Sequence, residues 1–217
     1  MCDLVERSGV FAGYLEDLCF LPRTAAAVAS IRAGHLGEVL SARYRLAHSG
    51  PHSPWFRDPD LAGGGVLLDL GSHAVEVLRH HVGKTDRPVA ALCETRRVRS
   101  GQVEEAAVGL IRFAGGAVGQ LDVSWLAADG LDLHEEVHGV HGSFRLDHRQ
   151  LAAVADPPED EPAGLGVPLL LAEMLDAQAA GRAPGETFRD GLVVSLVLDA
   201  CYRSARSGAW EPVPPDR

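Results

Sequence analysis

The sequence predicts an α+β domain: an open, mostly antiparallel β-sheet covered on one face by helices. Three observations lead there. Residues 38–47 alternate apolar and polar side chains with a period of two, the mark of a half-buried strand. Residues 89–147 hold further strand-like runs separated by short glycine turns, so successive strands fold back on one another. Helical patterns come before and after these strands, and an antiparallel sheet grouped between helices carries them on one face.

Met1 to Ser8 reads as the last turns of a helix stopped by Gly9, and Val10 to Leu15 as a short strand. A strand with no pairing partner nearby is an odd beginning, so residues 1–20 are expected to be the tail of a domain otherwise missing. Pro22 suits the first position of a helix that runs through Ala25, Val28, Ala29 and Ile31 to Gly34. In Glu38 to Ala47, Leu40, Ala42, Tyr44 and Leu46 share one face and Ser41, Arg43 and Arg45 the other, as in a strand of an antiparallel sheet. His48 to Asp58 is a loop dense in turn formers and in polar and aromatic side chains.

Gly63-Gly64-Gly65 then opens a helix in which Leu67, Leu70, Ala74, Val77 and Leu78 form a buried stripe. Strands are predicted at Val89–Arg97, at Val103–Phe113 and Ala117–Trp125 as a hairpin across Gly115-Gly116, and at Leu131–His138 and Ser143–Asp147 about the Gly139/Gly142 turn. Ala152 to Gly166 is an acidic, proline-rich loop, and Val167 to Ala180 a helix. Phe188 to Ser207 is a second helix, amphipathic through Leu192, Val193, Leu196 and Leu198, with Gly208 as its stop and an extended proline-containing tail beyond. A sheet of this kind leaves one face to bury, so a homo-oligomer is expected through it.

The 217 residues suffice for a sizeable core, and 46% hydrophobic with 23% charged residues is ordinary for a globular chain. A formal charge of −10 argues against nucleic acid and anionic membrane surfaces as partners. No 18-residue apolar run or charged-then-apolar leader is seen. Cys2, Cys19, Cys93 and Cys201 form no C-x-x-C pair, which suits the reduced thiols of a cytoplasmic protein.

The chemistry centres on Asp69 and His73. Four residues apart on one helix, they share a face with Glu76 and His80, and a carboxylate one turn before an imidazole can orient it as a general acid/base. The same spacing also suits an ordinary solvated face. The glycines at 63–65 permit close approach of a backbone or a ligand, so Gly64 and Gly65 are candidate cofactor-binding positions. The loop before them either walls a pocket or is plain surface; as a wall it offers His52, Trp55 and Arg57 to a substrate. His134, Glu136 and His138 would share a strand face and invite a zinc reading. With a glycine turn before His141 and no cysteine near, His134 lining the pocket is the preferred reading and no metal is assigned. No Gly-x-Ser-x-Gly elbow, P-loop or Gly-x-Gly-x-x-Gly fingerprint occurs.

Four stretches carry a resemblance. They are Gly34-His35-Leu36-Gly37-Glu38-Val39, Leu61-Ala62-Gly63-Gly64-Gly65 through to His73, Val137-His138-Gly139-Val140-His141-Gly142-Ser143, and Tyr202-Arg203-Ser204-Ala205. Together they resemble the Gfo/Idh/MocA oxidoreductases. The resemblance implies a dihydrodipicolinate-reductase-like C-terminal domain over residues 21–217, with residues 1–20 as the last helix end and strand of a truncated Rossmann domain. It implies NAD or NADP in the complete enzyme and a sugar, polyol or similar hydroxy compound as substrate. His73 would take the hydroxyl proton and Asp69 would orient His73. The glycine fingerprint and the lysine of the family's Glu-Lys-Pro motif have no counterpart here, so this chain alone is expected to bind no nucleotide. A partner chain carrying the Rossmann domain is one way to complete it. A cofactor-free binding or oligomerisation module is the alternative, and a metal-dependent lyase or isomerase a third.

Overall fold

The computed structural model describes residues 1–99, 102–128, 130–147 and 166–216. The predicted loop at 152–166 therefore lies almost wholly outside the described residues. Six helices are described: α1 (Cys2–Ser8), α2 (Pro22–Arg32), α3 (Pro59–Ala62), α4 (Val66–Val82), α5 (Val167–Ala179) and α6 (Phe188–Ser207). The strands are β1 (Val39–Ala47), β2 (Pro88–Arg96), β3 (Ala106–Phe113), β4 (Val118–Ser124), β5 (Asp132–Gly139), β6 (Gly142–Asp147) and β7 (Glu211–Pro212). They form one seven-stranded sheet in the order β6-β5-β1-β4-β3-β2-β7.

The sheet is mixed. β1 pairs antiparallel with β5 but parallel with β4, Ser41 opposite Val118 through Ala47 opposite Ser124. The expected purely antiparallel setting of β1 is thus corrected, because the chain crosses over through α4 and two further strands before β4 returns beside it. Every other pairing is antiparallel. Leu40 faces out, about half exposed, while Ala42, Tyr44 and Leu46 are buried; the β1 register slips between Val39 and Ser41.

α4 packs on β1 and β4, α6 on β2, and the two helices pack on each other. The Leu67, Leu70, Ala74, Val77 and Leu78 stripe is buried as its period requires. By length and composition the segment Pro59–Val82 is apolar enough to cross a membrane, but here its apolar side covers the sheet. α6 spans the predicted residues because Thr187 and Asp190 form a capping box at its start and Gly208 ends it with φ 69°. Its buried stripe is Val194, Val197, Leu198 and Cys201, offset from the predicted one; Leu192, Val193 and Leu196 are only half-buried. The four cysteines are buried free thiols.

The polar face predicted for α4 is not a solvated one. Glu76 is fully buried and Arg79 nearly so. Arg79 binds Glu76 and, at 3.1 Å, Asp190. Lys84 lies 2.9 Å from Asp190 and 3.1 Å from Glu186, and His80 2.6 Å from Glu186. This network ties the end of α4 to the start of α6 across the top of the core.

The predicted strand at 10–15 is reduced to a single bridge, Gly13 opposite Thr187, with the Tyr14 N–H donating to the Glu186 carbonyl. The predicted start of β3 at Val103 is also corrected. Glu104 anchors the start of α4 instead. The Glu104 carboxylate accepts from the N–H groups of Gly65 (2.8 Å) and Leu67 (3.2 Å), its carbonyl accepts from Val66 (2.9 Å), and the Tyr202 hydroxyl donates to the same carboxylate at 2.7 Å. A carboxylate from elsewhere in the chain thus caps a helix whose own N-cap, Gly65, has no side chain to do it.

This contact explains two of the glycines. A Cβ on Gly65 would sit 2.1 Å from the Glu104 carbonyl oxygen, and one on Gly64 would sit 2.2 Å from the Tyr202 hydroxyl. Gly65→Ala is expected to lower stability by at least ~2–3 kcal/mol, since the clash is with backbone and relief costs a cap as well. Urea unfolding of the variant checks this, and a loss below ~0.5 kcal/mol would contradict the packing.

Candidate active site

A cleft of about 350 Å³ opens beside the first turns of α4, lined by Tyr14, Leu15, Trp55, Phe56, Ala62, Gly64, Gly65, Leu68, Asp69, Ser72 and His73. Larger hollows of about 600 and 710 Å³ flank α1 and the start of α6, but neither contains an imidazole. The acid/base chemistry is in the smaller one.

Asp69 and His73 do share this cleft, as their spacing on α4 predicts. They are not, however, each other's hydrogen-bond partners. Asp69 Oδ2 accepts from the Trp125 indole N–H at 2.9 Å. His73 Nδ1 lies 2.9 Å from Oε1 and 2.8 Å from Oε2 of Glu16, a fully buried carboxylate. The expected role of Asp69 in orienting the ring is therefore corrected. The Glu16 carboxylate reaches the ring from the N-terminal segment, while the side chain of Asp69 is turned to the indole.

Electrostatics follow the geometry. Burial alone would lower the pKa of His73, but Glu16 at hydrogen-bond distance, with Asp17 and Asp69 beyond it, outweighs that and holds the imidazole above its ordinary 6.5. Asp17, nearly buried, is pushed up to about 6 by burial and by the Glu16 charge, with His73 opposing. Burial lowers His48, on the loop after β1, although Asp69 pulls the other way. Burial and the charges of Glu16 and Glu76 raise the Tyr14 phenol, so it faces the cleft as a neutral hydroxyl.

The other predicted site residues divide. Trp55 lines the cleft, 46% exposed, stacked on Phe56 with ring centroids 4.0 Å apart. Arg57, from the same 3₁₀ turn, is not part of the lining: its guanidinium binds the buried Glu105 at 3.0 Å. His52 is an exposed side chain beside His48, 5.4 Å between ring centroids, and also lies outside the lining.

His134 is on the opposite face of the sheet. Leu133, Glu135 and Val137 of β5 point toward the helices, Glu135 meeting His81 of α4 at 3.0 Å. By alternation His134 and Glu136 point the other way, into a shallow polar hollow shared with Arg43, Arg45 and Arg145. His134 Nε2 is 2.7 Å from Asp132 there. The ligand atoms of His134, Glu136 and His138 do not converge, and His138 instead pairs with Glu136 at 3.1 Å.

A cation has one plausible seat in the cleft, since single ligand atoms of Glu16, Asp17 and His73 all lie within 4.8 Å of one another. Nδ1 of His73 is already engaged by Glu16, and this pairing favours a shared proton over a metal. Gly64 and Gly65 line the cleft, and the N–H groups of Gly65 and Leu67 at the start of α4 are taken by the Glu104 carboxylate. Close packing against Tyr202 and Glu104 is itself a sufficient reason for glycine at both positions.

Tyr14, Glu16, Asp17, Ser72 and Trp125 complete the site and were not singled out from the sequence. One sign of the carboxylates was present. Glu16-Asp17 interrupts an otherwise apolar run from Val10 to Leu21, and acidic residues in such a setting need a buried partner.

The family model of the GFO/IDH/MocA C-terminal domain matches residues 24–145. Levoglucosan dehydrogenase of Pseudarthrobacter phenanthrenivorans is 27% identical across 89% of this chain and 64% of its own length. The human glucose-fructose oxidoreductase domain-containing protein 2 is 26% identical across 90% of this chain and 62% of its own. Among solved structures, GenD2 from gentamicin A biosynthesis in complex with NAD superposes with a TM-score of 0.89 at 32% identity, over 98% of this chain and 66% of GenD2. Levoglucosan dehydrogenase in complex with NADH and levoglucosan gives a TM-score of 0.82 at 23% identity, over 98% of this chain and 69% of that structure. The chain thus spans just under two thirds of the curated relatives it matches.

Proposed function

The chain belongs to the GFO/IDH/MocA oxidoreductase family, and we propose that it is the substrate-binding, proton-transferring part of an NAD(P)-dependent oxidoreductase acting on a sugar, polyol or related small hydroxy compound. The observation that carries this is His73, in a cleft with Asp69, with Nδ1 engaged by Glu16 and its edge 27% exposed. In the oxidative direction Nε2 accepts the proton of a substrate hydroxyl; in the reductive direction the imidazolium returns it to a carbonyl oxygen. Asp69, steadied by Trp125, has its other oxygen for a second hydroxyl, and Ser72 and Tyr14 add polar edges to the cleft. The exposed face of Trp55 offers the C–H face of a sugar ring an apolar platform.

At the start of α4 the Glu104 carboxylate and carbonyl take the N–H groups of Gly65, Leu67 and Val66, which supports a nucleotide held elsewhere. We therefore assign the hydride acceptor to a nucleotide domain outside this fold, on a longer chain or on a partner, with residues 1–20 as the last part of that domain in this sequence. The open sheet face, with Arg43, Arg45, Asp122, His134 and Glu136, is the surface we assign to a homo-oligomer, and the cytoplasm is the compartment we assign to it. The alternative, a cofactor-free sugar-binding or oligomerisation module, draws support from the same capped helix start. Tight NAD(P)H binding by the 217-residue chain alone would exclude that alternative.

Substrate turnover in the assembly that carries the nucleotide domain tests the reading. Trp55→Ala is expected to raise KM for a sugar about tenfold with kcat nearly kept, since it removes stacking worth ~1 kcal/mol or more from substrate and transition state alike. Thermal unfolding should be unchanged, because Trp55 is half exposed. An unaltered KM would remove Trp55 from the substrate site.

A further inference from the structure

We propose that Glu16 is the positioning residue of this site: its carboxylate, rather than that of Asp69, fixes the His73 ring through Nδ1 and so leaves Nε2 as the atom that exchanges a proton with substrate. The proposal rests on the oxidoreductase reading for its kinetic consequence, but its structural content stands on the chain itself.

Four observations carry it. Both oxygens of Glu16 lie within 2.9 Å of Nδ1, and Oε1 also accepts the N–H of Leu18 at 3.0 Å, which pins the side chain. Glu16 has no solvent exposure, and its Oε2 has no hydrogen-bond donor in the described residues beyond its ion-pair contact with Nδ1. A carboxylate so placed is costly unless a cation compensates it, and the imidazolium of His73 is the group at hand. Asp69, the helical neighbour that spacing would select, has an oxygen committed to the Trp125 indole. Finally, Glu16 stands before the family match begins at residue 24, on the segment pinned by the bridge from Gly13 to Thr187. The N-terminal segment is thereby part of the acid/base machinery and not merely what remains of a neighbouring domain.

Among the described residues, the charged and titratable groups that face His73 are few besides the neutral Tyr14 phenol of the same cleft. Glu16 and Asp17 come from the N-terminal segment, Asp69 from one turn earlier on α4, and His48 from the loop after β1. The two first-named carboxylates and Asp69 favour the imidazolium; His48, a like charge when protonated, opposes it. Removing the Glu16 charge removes the largest favourable influence on His73.

The test is ring-nitrogen and ring-carbon NMR of His73 in the isotopically labelled 217-residue chain, for the wild type, Glu16→Gln, Glu16→Asp and Asp69→Asn. In the wild type the ring should titrate above 6.5, with Nδ1 as the protonated nitrogen of the neutral form. Glu16→Gln keeps an acceptor for Nδ1–H, so the tautomer should persist while the titration midpoint falls by about one pH unit or more. Glu16→Asp should restore part of the shift, and Asp69→Asn should move the midpoint by less than Glu16→Gln does. Should Glu16→Gln leave the midpoint in place, or Asp69→Asn lower it by more, the proposal is overturned.

In the complete assembly, Glu16→Gln should move the acid limb of the oxidative kcat/KM profile to lower pH by the same interval. It should cost about tenfold or more in plateau kcat with KM within about twofold. An unshifted limb would overturn the kinetic part. The NMR result needs neither substrate nor nucleotide, so it survives if the oxidoreductase reading fails. Conversely, loss of that reading through a fully active His73 variant leaves the Glu16–His73 pair measurable.

Discussion

Replacing His73 by alanine is expected to lower kcat for sugar oxidation by ~10²–10⁴, the usual contribution of a positioned general base, while KM changes little. The small effect on KM follows because the imidazole gains most from the substrate only as the proton moves. Alanine also leaves Glu16 buried without its cationic partner, so some loss of stability should accompany it. His73→Gln separates the two effects. An amide can still donate to Glu16 but cannot take a proton, so the fold should be largely rescued and the rate should not. The wild-type oxidative rate should rise with pH through the His73 titration, above the ordinary 6.5, and the reductive rate should fall over the same interval. Steady-state rates in both directions check this. An oxidative rate that is flat from pH 5 to 9, or a His73→Gln variant of full activity, would remove the assigned base.

The second large effect is on stability. Arg79→Ala is expected to cost ~2–3 kcal/mol, since it removes one of the two cations that compensate the buried Glu76 and Asp190 and leaves Lys84 as the other. Urea denaturation midpoints for wild type and variant provide the measurement, and a loss below ~1 kcal/mol would show the network to be solvated. The same network sets an acid limb. Burial would raise Asp190, but bonds from Lys84 and Thr187 prevail and hold it at about 2, below its ordinary 3.8. A carboxylate whose folded value is depressed contributes stability that is complete above its unfolded value and lost as pH falls through the folded one. For Asp190 that window runs from about 4 down to about 2. Lys84→Met should narrow it by allowing Asp190 to titrate nearer its ordinary range.

Much of the fold was legible because its signals are local. Thr187 with Asp190 at one end, and Gly208 at the other, delimit the 20-residue α6, and the Gly139/Gly142 turn gives the β5–β6 hairpin. The glycines at 63–65 announce α4, although the reason for Gly64 and Gly65, the close approach of Tyr202 and Glu104 respectively, is set by residues distant in sequence. Strand order is non-local in the same sense. Nothing in β1 says that β4 will lie parallel to it once α4 and a hairpin have intervened.

For the site, helical periodicity was enough to bring Asp69 and His73 to one cleft, and it misled in making them partners. Four-residue spacing permits contact but does not choose it over Glu16, which is 57 residues away in sequence, or Trp125, which is 56 residues from Asp69. His134, expected to line the pocket, lies outside it, and the pattern of β5 already pointed the other way. Its neighbours Leu133 and Val137 are the apolar residues of β5, so alternation alone sets His134 on the face away from the helices.

The most direct measurement is NMR titration of the 217-residue chain with levoglucosan, myo-inositol and glucose as probes, reading the histidine and tryptophan side chains together. Resonances of His73 and Trp55, which line the α4 cleft, should move in a saturable way with at least one of these probes, while His134 on the far face of the sheet stays fixed. Saturable shifts confined to His134, with His73 and Trp55 unmoved, would contradict the assignment and put the sugar on the open sheet face.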